Sequence, residues 1–351
     1  MDPVRLGVVG CGVIGPTHMQ AAVDSPLLEL VAVADLVPER VQAAAEKFAV
    51  PKSYPSGSKL LDDPDIEAVV LAFPTGTRTE LALEAFAKGK HVLLEKPVAM
   101  NVAEVEQMIA ARGELVAACC SSRFRFFEGA GVVTDFIASG ALGPLRVVRA
   151  RNIAACKERP DTPRPDWRLI RARNGGGYLV NWGCYDIDYL LGITGWTLKP
   201  QLVLAQTWTV PPQFESHVVP GSDAETHYAA LIRCEGGTVI TLERGEFMPA
   251  ATENAWQIVG TKGSLTLNMT WGNPKKVVHD DTTPEKGTET RTLWEGDEDG
   301  KAPTKGPVTD LAIAIREGRR PATDLERSMV LQKLTDAIYA SAARGEAVAL
   351  A

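Results

Sequence analysis

The chain has 351 residues, six cysteines, a net charge of -7, and 45% apolar positions. That length and composition suit two ordinary domains with separate cores, and the acidic balance argues against nucleic acid or an anionic membrane as the main partner. No apolar run approaches the roughly 20 residues that would span a bilayer. The start, Met1-Asp2-Pro3-Val4-Arg5, lacks the basic-then-apolar plan of a signal peptide, so a cytoplasmic protein is expected. Cys11, Cys119, Cys120, Cys156, Cys184 and Cys234 form no C-x-x-C pair and read as buried reduced thiols. Adjacent Cys119 and Cys120 would point to opposite faces of a strand. His18, His91, His217, His227 and His279 share no ligand spacing, so no metal site is expected.

The first third alternates strand and helix. Arg5 to Val9 is an apolar run ending at Gly10-x-Gly12-x-x-Gly15, and Pro16 opens a helix through Val23. Leu28 to Ala34 predicts a second strand, and Pro38 starts a helix reaching about Phe48. Ala68 to Phe73 is a third strand, followed by a helix over Thr79 to Lys88; His91 to Leu94 is a fourth. Asn101-x-x-Glu104 reads as a capping box for a helix through Ala111, and Leu115 to Cys120 is a fifth strand. Such alternation predicts a Rossmann-type, doubly wound parallel sheet over residues 1–122.

Beyond about Ser122 the rhythm changes. A helix over Gly131 to Ser139 precedes strand-like segments at Leu145 to Ile153, Leu202 to Val210, Tyr228 to Cys234, Thr238 to Leu242, Trp256 to Val259 and Ser264 to Asn268. Glu235-Gly236-Gly237 and Gly260-Thr261-Lys262-Gly263 read as hairpin turns, which predicts an α+β domain over residues 123–351 with a mostly antiparallel sheet. Asp280 to Gly306 reads as surface loop, and Thr323-x-x-Glu326 caps a last helix over about 324–344.

The glycine turn has a specific physical reading. Gly10 permits the tight turn, Gly12 lets backbone N–H groups approach a pyrophosphate, and Gly15 allows close helix–strand packing, with the helix N-terminus facing the phosphates. Val13 and Ile14 belong to the same turn, and Pro74 follows the third strand; these are placed with the cofactor residues. Asp35, twenty residues after Gly15, ends the second strand where a carboxylate accepts hydrogen bonds from an adenosine ribose. With Leu36 beside it and Arg40 the nearest base, a 2'-phosphate would meet repulsion, so NAD is favoured over NADP.

The fourth strand ends in Glu95-Lys96-Pro97, and a lysine at the carboxyl end of a buried strand in this fold sits where hydride chemistry happens. That block, together with the glycine turn and His18, Gly89 to Leu94, Ser122-Arg123-Phe124, Gly140 to Gly143, Gly175-Gly176-Gly177 and Ala337 to Ala342, resembles the glucose-fructose oxidoreductase/inositol dehydrogenase/MocA (Gfo/Idh/MocA) family. The resemblance implies a C-terminal domain whose large open sheet face makes a homodimer or homotetramer contact. It further implies NAD(P)-dependent oxidation or reduction of sugars, inositols and relatives. Lys96 is implied to contact both substrate and nicotinamide, Glu95 to join the cofactor residues, and the Lys96-Pro97 bond to be cis.

Many members carry G-G-G-x-x-x-D-x-G-x-H-x-x-D. Here Asn181 stands where the aspartate is expected, Tyr185 where the histidine is expected, and Asp188 at the last acidic position. Asn181 cannot act as a base. A phenol titrates near ~10, and a neighbouring ammonium would lower that value. The expected roles are Tyr185 as general acid/base, Lys96 as its electrostatic partner and Asn181 as positioner of a substrate hydroxyl. Tyr185 has a plainer reading as a buried aromatic at a helix start, and Asp186 and Asp188 as first-turn carboxylates.

Nine basic residues gather between Arg146 and Arg173 (Arg146, Arg149, Arg151, Lys157, Arg159, Arg164, Arg168, Arg171, Arg173), with Trp167 beside Arg168. They form either a solvated loop or subunit contact, or a cover presenting arginines to an acidic substrate. Arg123, Trp167, Arg168 and Asp188 are the candidate substrate-binding residues. Three functions fit. The leading one is an NAD-dependent dehydrogenase acting on a secondary alcohol of a sugar, glycoside or cyclitol. The others are an enzyme that retains NAD to cleave or isomerise glycosides, and a dinucleotide-binding sensor without turnover.

Overall fold

The computed structural model describes residues 2–161, 166–267 and 274–350, so Arg164 and Asn268 lie outside the described residues. The chain forms two compact units. The first runs to Arg123 and takes in Lys301–Gln332; the second holds Phe124–Gly300 and the residues from Lys333 on. This division differs from a single cut near residue 122, because the chain returns to the first unit late in the sequence.

In the first unit, β1 (Val4–Val9), β2 (Leu28–Ala34), β3 (Lys52–Tyr54), β4 (Ala68–Leu71), β5 (His91–Leu94) and β6 (Ala117–Cys119) make a sheet in the order β3-β2-β1-β4-β5-β6. Every pair is parallel. Alternate strand residues feed two cores. Leu6, Val8, Val33, Val70 and Leu93 pack on one face with α1 (Gly15–Val23) and α2 (Pro38–Phe48). Val9, Ala32, Val69, Leu71, Val92 and Leu94 pack on the other with the short α3 (Gly57–Leu61), α4 (Arg78–Ala87) and α5 (Val102–Arg112). Cys120 belongs to the first core and Cys119 to the second, as period-two alternation requires. All six cysteines are free thiols, five of them buried.

The Asn101 cap holds: its Oδ1 accepts the Glu104 N–H at 3.0 Å, while Glu104 Oε2 accepts the Met100 N–H at 3.0 Å.

In the second unit, α6 (Glu128–Ala138), β7 (Leu145–Ala155), α7 (Arg171–Asn174), α8 (Cys184–Ile193), β8 (Pro200–Trp208), β9 (His227–Cys234), β10 (Val239–Met248), β11 (Glu253–Gly260) and β12 (Gly263–Leu267) follow in turn. With β13 (Lys275–Thr283), β14 (Gly287–Gly296) and β15 (Val348–Ala349) the described strands form one sheet, β14-β13-β12-β11-β7-β10-β9-β8-β15. Only the β7–β10 pair among them is parallel. Both expected hairpins form, β9–β10 and β11–β12. Leu204 and Leu231 are about half exposed on this sheet.

Three expectations are corrected. The stretch from Asp280 to Gly306 is no loop: it finishes β13, forms β14 and opens α9 (Ala302–Glu317), whose Val308, Leu311 and Ala312 join the first core. The last helix is α10 (Leu325–Arg344), and its cap is Asp324 rather than Thr323, since Asp324 Oδ1 accepts the Arg327 N–H at 2.9 Å. Finally, β3 and α3 fill an interval that carried no expected element. Among the described residues no helix is long and apolar enough to cross a membrane.

The glycine turn supplies the first prediction. A Cβ on Gly15 would lie 1.8 Å from the Gly10 carbonyl oxygen, so Gly15→Ala must displace either helix or turn. Chemical denaturation should show a loss of about 2 kcal/mol or more; unchanged stability would contradict the packing described.

Candidate active site

Gly10 turns the chain at a φ of +99°, open to glycine at little cost. Asp35 at the end of β2 then locks the turn: its Oδ2 accepts the Cys11 N–H at 2.7 Å and its Oδ1 the Val37 N–H at 2.9 Å. No side chain caps the N-terminus of α1, which leaves its first amides for an anion. Val13 and Leu36 flank the turn with more than four-fifths of their surface exposed. Pro74 sits at the carboxyl side of β4, opening the short turn Thr75–Thr77. An anion-ready helix end, a carboxylate beside it and exposed apolar surface fit a dinucleotide. Gly10, Gly12, Val13, Ile14, Gly15, Asp35 and Pro74 are the residues that would hold it.

Lys96 lies two residues past the end of β5, half-buried, and its bond to Pro97 is cis, as the resemblance implies. Its neighbour Glu95 is 4% exposed and gathers charge. Glu95 Oε1 meets His18 Nε2 at 2.7 Å and also accepts from the Arg123 guanidinium, while Oε2 accepts the Lys96 N–H at 3.2 Å. Burial pushes the Glu95 pKa up, but Arg123 and the His18 hydrogen bond outweigh it and hold the carboxyl far below the usual range.

Arg123 is therefore committed to Glu95. His18, read from sequence as a packing residue near the phosphates, belongs to the same cluster. The fold brings His18, Glu95 and Cys120 within 4.8 Å of one another, a grouping that sequence spacing did not show. The Arg123 cation already occupies the Glu95 oxygen, and burial pushes the Cys120 thiol well up, so the cluster reads as an ion-pair hub.

The segment that carries Asn181, Tyr185 and Asp188 lies in the second unit. Tyr178 leads into a π-helical turn, Leu179–Gly183, that runs straight into α8. Such turns are frequent at functional sites. Asn181 donates through Nδ2 to the carbonyls of Arg168 (2.9 Å) and Gly177 (2.8 Å), and its Oδ1 accepts from no described group. Tyr185 is 4% exposed, with its ring against Phe124 (5.1 Å between centroids) and Trp182 (6.0 Å).

Glu225, absent from the sequence reading, anchors this turn. Its carboxylate accepts the N–H groups of Gly177 at 3.0 Å and Leu179 at 2.9 Å and the Tyr339 hydroxyl at 2.8 Å. A Cβ on Gly177 would lie 1.9 Å from the Glu225 carbonyl oxygen, which explains the glycine.

Asp186 is no ordinary first-turn carboxylate: it takes a bidentate pair from Arg244, at 2.6 and 2.7 Å. Burial opposes the Arg244 charge, but Asp186 overcomes it and pushes the guanidinium well above its usual value. Asp188 is fully buried, 3.6 Å from Arg125.

A cleft within the second unit is lined by Arg168, Tyr178, Asn181, Trp182, His217 and Phe247, among others. Phe247 holds a φ of +58°, rare for an aromatic, where the β7–β10 register breaks. The basic segment divides. Arg168 lines this cleft with its guanidinium over Trp167 (5.6 Å). Arg171 lies over the Tyr339 ring, 3.7 Å from Glu225. Arg149 and Arg151 bond Gln257, Glu243 and Glu253 on the sheet.

The Glu95 hub predicts a pH-dependent defect. A carboxyl held low contributes stability that is whole above its ordinary value near ~4.3 and is lost as pH falls toward the depressed folded value. Removing one partner of a buried pair costs about 3–5 kcal/mol. Glu95→Gln should lower the melting temperature most above pH 5, with the gap narrowing toward pH 3; a gap constant with pH would refute this reading.

Comparison with known proteins supports the same direction. Residues 4–119 match the family described as "Oxidoreductase family, NAD-binding Rossmann fold" and residues 132–266 the "GFO/IDH/MocA C-terminal domain". The chain is 30% identical over 284 residues to trans-1,2-dihydrobenzene-1,2-diol dehydrogenase of Bos taurus, covering 78% of this chain and 77% of that one. It is 26% identical over 298 residues to levoglucosan dehydrogenase of Pseudarthrobacter phenanthrenivorans, covering 76% and 74%. A solved levoglucosan dehydrogenase in complex with NADH and L-sorbose superposes over the whole of both chains with a TM-score of 0.86 at 22% identity, a likeness of fold. The glycine turn, the Glu95-Lys96-Pro97 block and these matches together make the chain a member of the Gfo/Idh/MocA family of NAD-binding oxidoreductases.

Proposed function

We propose that the protein is a reversible NAD-dependent dehydrogenase that oxidises a secondary alcohol of a sugar, glycoside or cyclitol, working in the cytoplasm as a homo-oligomer. The observation that carries this reading is the buried Glu95 hub, which fixes the backbone on which Lys96 stands at the carboxyl end of β5. A purely structural strand end would not need a buried carboxylate, a histidine and an arginine to hold one half-buried lysine. The names of the relatives, a dihydrodiol dehydrogenase and a levoglucosan dehydrogenase, agree with polyhydroxylated alcohols as the substrate class.

Bound NAD supplies the hydride acceptor. The chain's own part is to handle the hydroxyl proton and the charge that its loss creates. On this reading Tyr185 takes the proton, the Lys96 ammonium stabilises the developing alkoxide, and the Asn181 carboxamide orients a substrate hydroxyl through the Oδ1 that accepts from no described group. Arg168 and Trp167 contact the substrate. Arg123 and Asp188 act at one remove: Arg123 through Glu95, and Asp188 beside Arg125. The half-exposed Leu204 and Leu231 on the second unit's sheet support self-association through that face.

Absorbance at 340 nm, with NAD and a panel of inositols, aldoses, uronates and glycosides, tests the reading. At least one substrate should give NADH. Lys96→Ala should lower kcat about 100-fold or more, and Tyr185→Phe about 100-fold with weaker dependence on pH. Full turnover in Tyr185→Phe would remove that residue from the chemistry. Silence across the panel despite NAD binding would contradict the dehydrogenase itself.

A further inference from the structure

Arg78, at the first position of α4, is 2% exposed and has no carboxylate at ion-pair distance among the described residues. Burial pushes its pKa down. All its bonds go to main-chain carbonyls of the first unit. Nε and one terminal nitrogen donate to the Phe73 oxygen, the former at 3.2 Å, and the other terminal nitrogen donates to the oxygens of Glu95 and Pro97. Taking a guanidinium out of water without a counter-ion in contact is expensive. A leucine or methionine would fill the space without that cost, so the cation is kept for what it holds.

The three carbonyls are not scattered. Phe73 precedes Pro74 at the end of β4, and Glu95 and Pro97 bracket Lys96 at the end of β5. These two neighbouring parallel strands, β4 and β5, end on the side of the sheet where ligands of such folds bind. One planar fork therefore ties the turn at Pro74 to the carbonyls of the two residues on either side of Lys96. A lysine in its place could not make the same rigid set of bonds.

We propose that Arg78 is a positioning residue, which sets the placement of the Lys96 ammonium and of the Pro74 turn at the same time. The proposal rests on the reading of Lys96 as the alkoxide-stabilising group and of Pro74 as a cofactor residue. It adds a requirement neither of them states: cofactor affinity and Lys96 chemistry are coupled through a buried guanidinium that touches neither ligand.

The test uses the full-length protein with Arg78→Met, Arg78→Lys and a control, Arg112→Met, which breaks the bidentate pair between Arg112 and Glu326 elsewhere in the first unit. Two readouts need no substrate: the NADH dissociation constant from its fluorescence, and the pH midpoint for reductive methylation of Lys96, followed by peptide mass spectrometry. All are taken well below each variant's melting temperature. Arg78→Met should weaken NADH binding about tenfold, the loss of more than one anchoring bond, and move the Lys96 midpoint by about one pH unit. Arg78→Lys should restore part of both, and Arg112→Met should leave both as in the unmutated protein whatever its stability.

A wild-type NADH constant and Lys96 midpoint in Arg78→Met would overturn the proposal, as would equal changes in Arg112→Met. If Arg78→Met does not fold, Arg78→Lys decides: unchanged values in it overturn the proposal, and shifted values support it. Failure of the unmutated protein to bind NADH would instead sink the dehydrogenase reading, while the Lys96 midpoint would still test Arg78.

Discussion

A carboxylate removed from water must be met by charge and hydrogen bonds, and Glu95 meets that demand with Arg123, His18 and the main-chain N–H of Lys96. The partners come from three places in the first unit: α1, the end of β5 and the segment after β6. Satisfying one buried charge thus pins the glycine-turn helix, the lysine and the start of the exit segment to a common point. Breaking any one contact leaves the others with an uncompensated buried charge, a steeper penalty than the contact itself is worth. Lys96 is fixed as a by-product of that electrostatic necessity.

The second unit repeats the logic with a different carboxylate. Glu225, 1% exposed, holds the amides of Gly177 and Leu179 and the Tyr339 hydroxyl, and so anchors the first turn of the π-helical segment. Asn181 and Tyr185 then follow on consecutive turns into α8, with Asp186 locked to Arg244 beside them. In each unit the residues assigned to chemistry are half-buried or buried, and the residues that hold them are charged and buried deeper. Preorganisation of this kind lets a polar group act without reorganising at the moment of reaction.

Much of this was legible in the sequence because local rules were strong. The apolar runs of β1, β2, β4 and β5, the glycine turn, the Asn101 cap and the hairpin glycines each state their structure within a dozen residues. Asp35 was found by spacing from Gly15. Glu95's partners were not, because His18 lies 77 residues from it and nothing local distinguishes that histidine from any other on a helix. Arg78 and Glu225 stand in no motif, and only the fold shows that their side chains turn inward. Helix α9 was hidden by Pro303, Gly306 and Pro307, which break its pattern though its later turns bury an apolar stripe. Strand β14 alternates threonine with charge on an edge and offers no apolar face to read.

A dehydrogenase of this kind must move hydride from a carbinol carbon to a cofactor that the protein then releases. Mass spectrometry of the free nicotinamide pool after incubation with NAD and carbon-deuterated levoglucosan, myo-inositol or glucose addresses it directly. The account predicts that one of these yields free NADH heavier by one deuterium, in amounts that far exceed the protein present. Deuterium that returns to the sugar with no labelled NADH released would contradict it and point to a retained cofactor.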